Sequence, residues 1–274
     1  MSPQARDRAR EKRRFEKHQA RLDQRARDSR RNKQVVGIVL AVVVLIGGFV
    51  GISSAVQGGS TATPKAQASV PTSAPAYVAK VAGCVEPPGV PNDKRTRTLP
   101  SKKIAAGKTF IATIMTNCGV IKVELYGAKA PQTVASFLGL AESGYWADSP
   151  CQRLTTLTPL YVLQCGDPTG TGTGSPGYGF GIENPPANFT YPAGTLAMAR
   201  TQDPKSNGGQ FFIVYKDSTI NDPAGYSIFG KIISCMDIVN KVAAAGATPA
   251  DANQNTAPLQ PISILAVNVT EKKA

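Results

Sequence analysis

CQRLTTLTPLYVLQCGDPTGTGTG, residues 151–174, decides how the rest of the chain is read. Two short apolar runs, 153–157 and 160–164, flank Thr158-Pro159, and each is too short for a stable helix. They predict a β ribbon, followed by a Gly/Thr-rich loop that cannot be core. Arg153, Tyr161 and Gln164 fall at one end of this unit, and a cysteine stands at each of its ends. Pairing 153–157 with 160–164 sets Cys151 and Cys165 opposite one another at the open end, within disulfide reach. A permanent cation beside an aromatic and an amide, held on a stapled ribbon, is a candidate site.

Outward from the ribbon, the same texture repeats. TFIATIMT (109–116) and GVIKVELY (119–126) are β-branched and alternate, with Asn117 and Cys118 between them as a turn. Residues 131–141 instead place Val134, Phe137, Leu138 and Ala141 at helical spacing, opened by Pro131 and closed by Gly144. Further strands are expected at 195–200, 210–215, 227–233 and 262–269, and a second helix at 236–245 before Gly246. Many short strands with two isolated helices predict a mainly β architecture, a closed barrel plugged by helices at its ends.

The N-terminal third has a different composition. Residues 1–34 hold thirteen Lys/Arg against five Asp/Glu, which is +8 of the formal +13 of the 274-residue chain. The high pI therefore belongs mostly to this arm, and nucleic-acid binding is not expected of the folded part. Residues 35–56, VVGIVLAVVVLIGGFVGISSAV, carry no charge. As a helix they would run about 33 Å, enough to cross a hydrocarbon core. The basic arm ahead of them predicts an N-terminus that stays cytoplasmic and a chain exported beyond residue 56. A retained anchor is favoured over a cleaved signal peptide, because the apolar run and the basic region are both long for one. Residues 57–107, rich in Pro, Ala, Ser and Thr, are expected to be an extended spacer before a domain at 108–270.

Several chemistries fall away. The only histidine, His18, lies in the basic arm, so the domain has no His-based triad and no His metal site. Gly172 to Gly177 matches a dinucleotide-loop pattern in form, but Pro176 interrupts it and no helix follows. Neither cofactor nor metal is expected. The five cysteines all follow the apolar span and form no C-x-x-C pair, which favours disulfides over zinc. Beyond Cys151–Cys165, both Cys84–Cys118 and Cys118–Cys235 remain open.

Taken in order, GVIKVELYGAKAPQTVASFLGLAESGYW, the ribbon itself, GTLAMARTQDPKSNGGQFFIVYKDSTI and YSIFGKI resemble a bacterial cyclophilin-type peptidyl-prolyl isomerase. The likeness covers roughly residues 109–269. It implies an eight-stranded antiparallel barrel capped by two helices, here preceded by a transmembrane helix, and a monomer acting on proline-containing polypeptides. It also implies that Arg153 is the catalytic arginine, braced by Gln164. Tyr161, Val162, Phe212, Ile220 and Tyr226 would form the proline pocket, while Gln210 and the backbone at Ala199 and Arg200 grip the substrate chain.

The chain departs from the family pattern in places. Gln152 replaces a common His, Arg200 replaces an Asn, and the loop 155–159 is slightly long. Thr219 or Ile220 stands where a Trp supports cyclosporin binding, which predicts weak affinity for that drug. Arg200 adds charge to the groove, from which slower turnover or a taste for acidic substrates is expected. Two functions compete on this reading: a membrane-tethered isomerase for exported proteins, and an extracytoplasmic chaperone or peptide-binding module with little catalysis.

Overall fold

A computed structural model describes residues 78–250 and 256–273. Strands β1 (Thr109–Thr116) and β2 (Gly119–Tyr126) pair antiparallel in unbroken register from Thr109↔Tyr126 to Thr116↔Gly119. Their alternation puts Phe110, Ala112, Ile114, Ile121, Val123 and Leu125 into the core. Helix α1 (Pro131–Glu142) follows, then β3 (Ser149–Pro150), β4 (Arg153–Leu154) and β5 (Val162–Cys165). After these come β6 (Thr190–Tyr191), β7 (Thr195–Met198), β8 (Phe211–Val214), β9 (Ser218–Thr219) and β10 (Ile228–Ser234). Helix α2 (Met236–Ala244) and β11 (Ser263–Glu271) complete the domain.

Nine strands form one antiparallel sheet in the order β3-β11-β1-β2-β10-β7-β8-β5-β4, with β6 and β9 as a separate pair. The edge strands β3 and β4 are separated in the chain only by Cys151 and Gln152. The sheet therefore curls until its two edges belong to one stretch of backbone. Eight strands were expected in one barrel. The difference is that this stretch changes partner midway, from β11 to β5, and that β6 and β9 add a small ribbon outside the sheet.

The inner space is filled by aromatic rings. Phe137 of α1 lies 4.6 Å from Trp146, 5.6 Å from Phe229 and 5.9 Å from Phe211 between ring centroids. Helix α1 begins at Pro131 without a side-chain cap of its own. The remote Glu183 supplies one, its carboxylate accepting the Gln132 and Thr133 amides at 3.0 and 2.8 Å. A negative charge at a helix N-terminus satisfies two free donors and opposes the helix dipole.

The segment expected to be spacer is, from residue 78 onward, fastened to the domain. Cys84 is disulfide-bonded to Cys118 at the β1–β2 turn, and the Val85 amide donates to the Asn117 carbonyl at 2.8 Å. Asn117 is buried. Its side-chain amide donates to the Val85 and Pro261 carbonyls, and its side-chain oxygen accepts from the Ser263 amide. Further along, Arg95 donates to the carbonyls of Tyr145 and Ala147, both at 2.9 Å, beyond the end of α1. Polar composition suggested a free coil. The contacts that hold it are one disulfide and hydrogen bonds in which a main-chain group is always one partner, which composition does not report. No helix among the described residues is long and apolar enough to cross a membrane. The expected span at 35–56, the basic arm and residues 57–77 lie outside the described residues.

Burial pushes the phenol groups of Tyr145, Tyr178 and Tyr191 upward from their ordinary value of 10.0. The folded domain holds these protons at a pH where the unfolded chain has released them. Their contribution is therefore complete below about pH 10 and is lost as pH rises through the folded values. The urea midpoint at about pH 11 should fall below that at pH 8, with tyrosinate absorbance at these positions gained during unfolding rather than before it.

Candidate functional site

Strand alternation builds the site. In and before β5, residues 160, 162 and 164 share one face, while Leu163 and Cys165 point into the core. β4 pairs with β5 at Arg153↔Gln164 and Leu154↔Leu163, and an isolated bridge, Leu157↔Leu160, closes the ribbon around Thr158-Pro159. The register is the one the sequence implied, and Cys151–Cys165 staples its open end as expected. β8 lies on the other side of β5 with Gln164 opposite Phe212, and β7 then sets Ala197 opposite Phe212.

The faces so aligned enclose a cavity of about 120 Å³. Arg153 and Gln164 form its polar edge, Val162, Phe212, Ile220 and Tyr226 its apolar wall, and Ala199 and Arg200 one rim. The ninth lining residue is Leu160. Tyr161, expected in this wall, is not there. Its odd position in the alternation turns it away, so that it packs edge-on against Tyr215 at 6.0 Å with the Lys216 ammonium 4.7 Å from its ring. Counting by twos from Gln164 through Val162 reaches Leu160, a signal the sequence already held.

A chain of amides fixes the Arg153 end. The Arg153 guanidinium donates to Oε1 of Gln164 at 3.4 Å. The Gln164 amide nitrogen in turn donates to Oε1 of Gln210 at 3.0 Å, as does that of Gln152. Nε2 of Gln210 then donates to the carbonyls of Gly172 and Gly174 at 3.0 and 2.9 Å. Gln210 therefore joins the ribbon to the Gly/Thr loop instead of facing the pocket alone. That loop is held from within by buried Asp167, whose carboxylate accepts from the amides of Thr169 (2.8 Å) and Gly174 (3.0 Å). Asp followed by Pro-Thr-Gly is a turn signature, and Asp167 is the structural residue that it marks. Gly166, at φ +96°, has no room for a side chain, because a Cβ there would strike the Gly209 carbonyl.

Two larger hollows adjoin the small cavity. One of about 530 Å³, between the Gly/Thr loop and residues 199–210, shares Gln164, Ala199 and Arg200 with it. The other, about 820 Å³, lies beyond Arg153 and shares Arg153 and Gln164. Gln164 borders all three, and the two larger hollows also meet at Gly172 and Thr173, so the three form one connected groove. Arg200 differs from expectation. Its side chain is 3% exposed and pairs with Asp222 at 2.6 Å, so it does not bring a free charge to the groove.

A family model described as "Cyclophilin type peptidyl-prolyl cis-trans isomerase/CLD" matches residues 111–269. The chain is 38% identical over 182 residues to the Mycobacterium tuberculosis protein named "Probable peptidyl-prolyl cis-trans isomerase B", covering 60% of this chain and 58% of that protein. It is 36% identical over 178 residues to "Peptidyl-prolyl cis-trans isomerase A" of the same organism, covering 59% of this chain and 93% of that protein. The chain thus spans little more than half the length of the first of these relatives. A crystal structure of a Cryptosporidium parvum cyclophilin type peptidyl-prolyl cis-trans isomerase is 30% identical, covers 61% of this chain and 99% of its own, and gives a TM-score of 0.48.

Replacing Gln210 by Glu keeps the two bonds accepted from Gln152 and Gln164 but removes both donated to the Gly/Thr loop. Two lost bonds to facing carbonyls should cost about 2–3 kcal/mol, lowering the melting temperature by roughly 5–10 °C. Hydrogen exchange should rise first at residues 169–174. Unchanged exchange there would show that Asp167 alone holds the loop.

Proposed function

This chain belongs to the cyclophilin type peptidyl-prolyl cis-trans isomerase family, and on that premise we propose that its domain catalyses rotation about X–Pro bonds in polypeptide substrates. The physical problem is a barrier of about 18–20 kcal/mol, which arises because a twisted amide loses its resonance. As the bond turns, the prolyl nitrogen becomes pyramidal and regains a lone pair. A donor aimed at that nitrogen stabilises the twisted state more than either planar isomer, which is the condition for catalysis.

The observation that carries this reading is that one cavity of about 120 Å³ holds both the Arg153 guanidinium and an apolar wall of Val162, Phe212, Ile220 and Tyr226. The wall takes the proline ring and Arg153 addresses the nitrogen. Gln164 holds the guanidinium in place through their hydrogen bond, and the substrate chain passes Ala199 and Gln210 along the flanking hollows. The mechanism forms and breaks no covalent bond; only hydrogen bonds to the twisting amide change. The alternative of a peptide-binding module with little catalysis rests on Arg200 together with Gln152 and the long 155–159 loop, and the Arg200–Asp222 pair bears against the first of these.

The location is part of the same proposal. Two disulfides, Cys84–Cys118 and Cys151–Cys165, suit an oxidising compartment. With the basic arm and the uncharged run 35–56, they support a domain tethered outside the cell membrane and acting on exported proteins.

Arg153→Ala should lower kcat/KM for a prolyl peptide by about 10²–10³ with the fold retained, and Arg153→Lys should restore only part, since a point charge replaces a planar fork. Wild-type rotation rates in Arg153→Ala would overturn the assignment. Protease added to intact spheroplasts should digest the domain and spare the basic arm, and a protected domain would overturn the placement.

A further inference from the structure

The geometry points to the Arg200–Asp222 pair as a positioning and specificity device: it shapes the wall that meets the proline ring and cancels a charge that would otherwise select acidic sequence. The inference rests on the isomerase reading above and deepens it. Arg200 lines both the 120 Å³ cavity and the adjoining 530 Å³ hollow, so any chain running between them passes its guanidinium. That group makes two hydrogen bonds and one ion pair, the pair being the sole polar contact of Nη2. Nε donates to the Gly225 carbonyl at 3.0 Å, Nη1 to the Thr201 carbonyl at 2.9 Å, and Nη2 meets the Asp222 carboxylate at 2.6 Å. Its flat face lies 4.6 Å from the Tyr226 ring centroid.

Asp222 works in two directions. One carboxylate oxygen holds Arg200, while the other accepts the Ala224 amide at 3.0 Å and so fixes the turn that leads into Tyr226. The Gly225 amide closes the same turn on the Asp222 carbonyl at 2.9 Å. Tyr226 then contacts both Arg200 and Phe212, the latter 5.6 Å away in an edge arrangement. The pair therefore reaches the proline ring through Tyr226. It also leaves Arg153 as the cation at the cavity whose charge no carboxylate within 4 Å cancels among the described residues. With Asp222 neutral, Arg200 would present an uncompensated charge at the edge of the cavity, at a separation from a bound chain taken as about 10 Å. At an effective dielectric constant near 20, that is worth about a tenfold preference for a carboxylate.

The test is Asp222→Asn, with Asp222→Glu and the double variant Arg200→Gln/Asp222→Asn. Each is assayed on tetrapeptides carrying Glu, Ala or Lys on either side of the proline. Circular dichroism monitors folding, and calorimetry measures binding of the same peptides. Asp222→Asn is expected to raise KM more than it lowers kcat and to turn about tenfold in favour of the Glu peptides. Asp222→Glu should restore the wild-type pattern. The double variant should keep the raised KM and lose the Glu preference. If Asp222→Asn shows wild-type KM and wild-type Glu-to-Lys ratios, the inference is overturned while the isomerase reading stands. If the wild type rotates no peptide, that reading fails on its own, and binding decides the pair: a Glu preference gained in Asp222→Asn supports it and an unchanged preference refutes it. Should Asp222→Asn not fold, the double variant decides, a raised KM or weakened binding supporting the inference and wild-type values overturning it.

Discussion

The side-chain amide of Gln210 accepts two hydrogen bonds and donates two, and the geometry of the site hangs on that count being complete. Because its oxygen is taken by the amide nitrogens of Gln152 and Gln164, the Gln164 oxygen is left to receive Arg153. Because its nitrogen is taken by two carbonyls of the Gly/Thr loop, the loop cannot swing without turning the amide. One neutral group thereby sets the direction of a cation two residues removed in the network. The four side chains are half-buried, and hydrogen bonds in series polarise one another, so breaking one link loosens the rest.

The backbone makes that network possible before any side chain does. Gly166 and Gly209 approach too closely for a Cβ on Gly166, and Gly209 also lies against the ring of Tyr145. Trp146 donates its indole N–H to the Gly209 carbonyl at 3.0 Å. The buried aromatic cluster around Phe137 thus reaches the strand that carries Gln210 and Phe212. Core packing and site geometry are one continuous structure here, joined at a pair of glycines.

What could be read in advance followed the reach of each physical signal. Period-two alternation is a local property, so β1, β2 and the ribbon register were legible, as was the Cys151–Cys165 staple that the register implies. The same rule applied strictly would have placed Leu160 rather than Tyr161 in the cavity wall. The very short strands β3, β6 and β9 carry too few residues to show a period. Asp222 and Glu183 could not be found by any spacing rule, because their partners, Arg200 and the start of α1, are brought to them by the fold alone. The polar segment before β1 misled for a related reason: low hydrophobicity describes what a segment cannot bury, and says nothing of the carbonyls and amides it can share.

The Cys84–Cys118 bond has a mechanical consequence. Tension applied from the N-terminal side of Cys84 meets a fork at its sulfur. One path runs through residues 85–108 into β1, and the other crosses directly to the β1–β2 turn. The disulfide path is far shorter, so it takes the load while the intervening segment stays slack. Force then enters at the end of the hairpin farthest from the start of β1, and β1 is not drawn from its own first residue. The clasp of Arg95 on the carbonyls after α1 lies inside the shielded loop. A domain so wired can be pulled by its leading chain without its first strand being unzipped.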